Sequence, residues 1–62
     1  MCESTIFLVR PGGEEKIMED AIFIRSEGDN LLLTNLLGEQ KLLPAKLRFA
    51  DLLKHQIYLE QS

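Results

Sequence analysis

Leu43-Pro44-Ala45-Lys46-Leu47-Arg48-Phe49 is the stretch on which the fold class turns. Leu43, Ala45, Leu47 and Phe49 alternate with Pro44, Lys46 and Arg48, the two-residue repeat of a half-buried strand. The rival reading is an amphipathic helix from Ala45 to Leu53, with Pro44 at its first position and Leu43, Leu47 and Ala50 on one face. A helix does not require strict alternation and a strand does, so the strand reading is preferred. Pro44 then belongs at an edge or a bulge, because it cannot donate to a ladder. Asp51 to Lys54 remain free to form one helical turn.

Outward from this stretch, four turn signals punctuate the chain: Pro11-Gly12-Gly13, Glu27-Gly28-Asp29-Asn30, Gly38-Glu39 and the weaker Lys54-His55-Gln56. Between them lie β-rich segments at residues 3–10, 16–26, 31–37, 41–50 and 56–60. Short strands at this spacing predict an all-β sheet or small barrel of about five or six short antiparallel strands. Phe7, Phe23 and Phe49 read as core, and Tyr58 as exposed. Two segments are apolar on both faces: Phe7 and Val9 oppose Ile6 and Leu8, and Leu31 and Leu33 oppose Leu32 and Leu36. A small barrel has one interior, so the second apolar face asks for cover, and a homodimer interface is the simplest one. The alternative is that strongly bent strands bury both sides at their corners.

With 62 residues, the sequence predicts one domain over residues 1–62 and a core small enough to profit from a partner subunit. Ten acidic against seven basic residues give a net charge of -3, which provides no general attraction to nucleic acid or an anionic membrane. No apolar run has the length of a membrane-spanning helix. The opening Met1-Cys2-Glu3-Ser4 lacks the features of a secretory signal, and a single cysteine excludes an internal disulfide, so a cytoplasmic location is expected.

Catalysis by nucleophile or acid–base pair needs converging groups with an orienting partner. One cysteine and one histidine stand at opposite ends of the chain with no recognisable third group, and no enzymatic activity is expected. Gly12-Gly13 is too short to cradle a phosphate and reads as a turn. Glu14-Glu15 and Glu19-Asp20 are adjacent pairs whose members point to opposite faces of a strand, so they read as solvated carboxylates. His55 reads as a solvated or capping turn residue. Lys41, Lys46, Arg48 and Lys54 form a modest basic cluster, which keeps a small RNA-binding barrel as the alternative function, although no exposed aromatics are interleaved with it.

Cys2 is the residue that points to chemistry. Once Met1 is removed, it carries a free amine and a thiol, which close a five-membered chelate on a metal. Thiolate and nitrogen donors suit later transition metals such as Ni(II), copper and Zn(II). A two-fold dimer would place two such chelates, two nitrogens and two sulfurs, on one ion. A square-planar set of that kind favours Ni(II), whereas Zn(II) prefers tetrahedral sites. If Met1 is retained, a backbone amide nitrogen takes the place of the amine.

The run Met1-Cys2-Glu3-Ser4-Thr5-Ile6-Phe7-Leu8 resembles the start of the CooT-type small nickel-binding proteins. Glu19-Asp20-Ala21, Glu27-Gly28-Asp29, Leu33 to Glu39 and Asp51 to Glu60 continue that pattern in order, so the resemblance spans nearly the whole chain. It implies a homodimeric SH3-like or Sm-like barrel that binds Ni(II) through Cys2 at the dimer interface. It further implies delivery of that ion to a nickel enzyme such as carbon monoxide dehydrogenase. Glu3 departs from the small or apolar residue common in the family and adds a carboxylate beside the ion, so Cys2 and Glu3 are the candidate metal residues. Phe7 stands where tyrosine is common. His55 occupies a turn position and inherits no metal role.

Overall fold

Six strands account for most of the chain in a computed structural model that describes residues 3–62. They are β1 (Ser4–Arg10), β2 (Gly13–Glu27), β3 (Asn30–Asn35), β4 (Gln40–Leu43), β5 (Ala45–Asp51) and β6 (Gln56–Gln61). The sheet order is β4-β3-β2-β1-β6-β5. It curls into a half-barrel, with β3 approaching β5 and the Ser62 amide donating to the Pro44 carbonyl at 3.1 Å. No helix among the described residues is long and apolar enough to cross a membrane.

The all-β expectation holds, and Pro44 sits where a strand reading requires it, in the break between β4 and β5. The predicted 41–50 segment is therefore two strands meeting at a corner. One pairing departs from the antiparallel expectation: β1 and β6 run parallel, from Thr5 beside Gln56 to Val9 beside Glu60. Turn signals reveal hairpins between neighbours in sequence, and this contact joins the two ends of the chain. The segment free to form a helical turn, Asp51 to Lys54, forms no helix: Asp51 ends β5 and residues 52–55 are a turn. Asp51 faces Gln56 across a tight β5–β6 hairpin, and His55 reverses the chain with a left-handed φ of 56°. At the β2–β3 turn, Gly28 takes a φ of 63° at the first of two loop residues, a geometry that matches the twist of a hairpin.

The core is aliphatic. Ile6, Leu33 and Leu59 are fully buried, and Leu8, Met18, Ala21 and Ala45 complete the cluster. The expected aromatic core is corrected on this point: Phe23 is 64% and Phe49 50% exposed, and Phe7 is only half-buried. Two bulges are responsible. One lies between Ala21 and Phe23, where β2 meets β3, and the other between Leu47 and Phe49, where β5 meets β6. Each inserts a residue and turns the side chains beyond it to the opposite face. Phe49 thereby lands opposite Tyr58, and Leu47, expected on the buried face, lies opposite Leu59 but is itself 57% exposed.

The aromatic rings gather on the outer face. Tyr58 is half-buried there and stacks on Phe7 at 5.3 Å and on Phe49 at 4.5 Å between ring centroids, a ladder across β1, β6 and β5. On the other side of the same face, Phe23 and Leu42 are exposed near Leu32. The two-faced character of β1 and β3 is thus real.

Candidate metal-binding end of the half-barrel

The N-terminal end of the sheet is assembled by backbone hydrogen bonds. Ser4 pairs with Ala21 of β2, and the Thr5 amide donates to the His55 carbonyl at 2.9 Å. The parallel β1–β6 register therefore sets the start of β1 directly beside the β5–β6 turn. On the far side, the Leu36 amide donates to the Asp20 carbonyl at 2.8 Å, which ties the β3–β4 turn to the bend in β2. Asp20 makes that bend with a φ of 57°, a left-handed conformation that aspartate tolerates better than most residues.

Each flanking turn is locked by one polar side chain. Asn35, 7% exposed, accepts from the Leu37 amide at 3.0 Å and the Glu39 amide at 2.9 Å through Oδ1, and donates through Nδ2 to Glu39 Oε1 at 2.7 Å. Asp51 Oδ1 accepts from the Lys54 amide at 3.0 Å. The Asn35 side chain replaces backbone partners that the turn itself cannot supply. Replacing it with alanine removes three hydrogen bonds made by a buried side chain to an exposed turn, and the expected loss is about 1–2 kcal/mol, because water can take over part of their role. A urea titration checks this: the midpoint should fall with the slope unchanged.

Of the two candidate metal residues, Cys2 lies outside the described residues. Glu3 is half-buried and immediately precedes β1. No group of three or more His, Cys, Asp or Glu able to hold a metal occurs among the described residues. The acidic pair Glu19-Asp20 does not converge on a common point: Glu19 is engaged by Lys16, which holds its carboxyl below the usual carboxylate range through a hydrogen bond and charge attraction.

Three of the four cations in the basic cluster have partners within the chain. Lys46 and Arg48 both reach Glu60, at 3.4 and 3.3 Å, and Lys41 donates to the Ile17 carbonyl at 2.7 Å. The nearby rings of Phe7, Tyr58 and Phe49 cover one another. A nucleic-acid platform needs free cations beside open ring faces, whereas Lys41, Lys46 and Arg48 are engaged and Tyr58 is stacked on both Phe7 and Phe49.

Sequence reading did not single out the leucines of the two turns. Leu37 is 83% and Leu53 90% exposed, with Leu36 and Leu52 beside them. The signal for them was two adjacent leucine pairs placed against predicted turns, at Leu36-Leu37 before Gly38 and Leu52-Leu53 before Lys54.

Comparison with known proteins places this architecture. Residues 1–60 match the family model described as CO dehydrogenase accessory protein CooT. An uncharacterized protein of Methanothermobacter thermautotrophicus is 43% identical over 60 residues, which cover 97% of this chain and 89% of that protein. A crystal structure assigned as a CooT from Carboxydothermus hydrogenoformans superposes with a TM-score of 0.93 at 33% identity, covering 98% of both chains.

Proposed function

The chain belongs to the CooT family of CO dehydrogenase accessory proteins, and on that premise we propose that it is a homodimeric nickel carrier serving maturation of that enzyme in the cytosol. Each dimer binds one Ni(II) as cargo between two Cys2 thiolates. The backbone nitrogen of Cys2 or Glu3 completes the set on each side, and the Glu3 carboxylate lies just outside it. Two thiolate charges offset the divalent cation, and sulfur with nitrogen suits nickel. The protein acts as an accessory, not as a catalyst.

The observation that carries this reading is the anchoring of Thr5 to His55. It fixes the third residue after Cys2 at one end of the half-barrel, beside the β5–β6 turn. A ligand that precedes the first strand in sequence exchanges without unfolding that strand, as a carrier requires. The exposed outer face, with Phe23, Leu42 and Phe49, supports a side-by-side dimer. A two-fold axis running along β1 would bring both chain starts to the same end.

Titration of metal-free protein with Ni(II), followed by absorption and by light scattering, tests the proposal. The expected result is a sulfur-to-nickel band that saturates at one ion per two chains in a particle of dimer mass. Saturation at one ion per chain in a monomer removes the shared site, and an absence of saturable binding removes the nickel assignment.

A further inference from the structure

The end of the half-barrel that carries the chain start is apolar and acidic together. Ile22, Leu36, Leu37, Leu52 and Leu53 are exposed there. The backbone links of Leu36 to Asp20, Ser4 to Ala21 and Thr5 to His55 string these residues along one edge, from β3 through β2 and β1 to β6. Three strand spacings make that strip roughly 14 Å long. Around it stand Glu3, Glu19, Asp20, Glu39 and Asp51, half of the chain's ten carboxylates, against three lysines, Lys16 on Glu19, Lys41 and Lys54. The rest of the chain carries five carboxylates against four cations, so most of the net negative charge resides at this end.

We propose that this acid-rimmed leucine strip is the surface that docks the nickel-accepting CO dehydrogenase, on an apolar patch of that enzyme ringed by lysine and arginine. The inference rests on the nickel-carrier reading above and names the face through which the carrier meets its acceptor. Exposed leucines supply the apolar contact, while the carboxylates select a partner of opposite charge and orient its approach. The same carboxylates argue against a second copy as the occupant. Two identical strips would set like charges face to face around a small apolar contact, a pairing that is penalised at interfaces. A dimer formed through the outer sheet face leaves both strips pointing the same way, on either side of the chain starts, where bound nickel would be handed over.

Leu37→Ser with Leu53→Ser tests the proposal, because both side chains are too exposed for their loss to unfold the domain. Binding to purified CO dehydrogenase from the same source is measured by calorimetry with metal-free protein, so docking is read without nickel. Wild-type protein should bind with an affinity that falls as salt is added. The double variant should bind at least tenfold more weakly while keeping its far-ultraviolet dichroism, its dimer mass and its nickel titration. Glu19→Gln with Asp20→Asn should weaken docking and flatten its salt dependence, and Glu14→Gln at the opposite end should change neither. An unchanged affinity in the leucine variant overturns the proposal, as does a wild-type chain that ignores the enzyme. Collapse of the leucine variant to a monomer also overturns it, since the strip would then cover a second copy. A wild-type chain that docks but takes up no nickel upholds this face and removes only the nickel reading.

Discussion

Cys2→Ser is expected to abolish the sulfur-to-nickel absorption band and with it stoichiometric Ni(II) binding. Serine preserves the shape of the side chain but offers a neutral, hard oxygen where nickel prefers a thiolate. In a two-fold site each substitution counts twice, since the ion loses both sulfurs and both compensating charges. What remains is weak capture by scattered carboxylates and His55, without a distinct end point. The fold should be indifferent, because residue 2 precedes the first strand, Ser4–Arg10, in sequence. Unchanged dichroism would therefore assign the loss to ligation. Two companion variants sharpen the result. Glu3→Gln should weaken binding by up to about tenfold, the low end for groups that support a ligand without being one. His55→Ala should leave the titration as it is. Wild-type affinity should rise between about pH 6 and 8, because an ordinary thiol loses its proton near 8.5 and the metal must displace that proton. Full binding by the serine variant would dismiss the cysteine-based site.

The fold class was legible because its signals are local. The alternation through Leu43–Phe49, the glycine turns and Pro44 each act over a few residues, and each maps onto a strand or corner. The side-chain faces were less legible. A bulge inserts one residue without leaving a compositional mark, and two bulges were enough to carry Phe23 and Phe49 out of the expected core. The parallel pairing of β1 with β6 is a contact between the chain's ends, beyond the reach of any turn signal. That pairing also seats the start of β1 beside the β5–β6 turn. Cys2 could be singled out by its chemistry alone. The leucine strip could not, since its members come from three separate segments that only the folded sheet aligns.

Leu59→Ala should largely unfold the isolated chain, whereas Leu53→Ala should be nearly silent. The two positions hold the same residue six places apart, yet Leu59 is fully buried and Leu53 is 90% exposed. Leu59 sits on β6 opposite Leu47 and beside Leu8, in the aliphatic cluster with Ile6 and Leu33. Truncating such a side chain costs about 2–5 kcal/mol, through lost transfer energy and the cavity left behind. At about 0.05–0.15 kcal/mol per residue, a domain of this length has only some 3–9 kcal/mol in all. The loss is therefore comparable with the total, and with few core residues the neighbours have little scope to close the gap. Urea unfolding followed by dichroism should show the Leu59→Ala midpoint shifted sharply toward zero denaturant, and the Leu53→Ala midpoint within error of wild type. Because a ligand bound only to the folded dimer stabilises it by mass action, Ni(II) should restore part of the Leu59→Ala transition and should do so more at higher protein concentration. Recovery that is independent of concentration would place the ion within one subunit, and equal midpoints for the two leucine variants would contradict the core assignment itself.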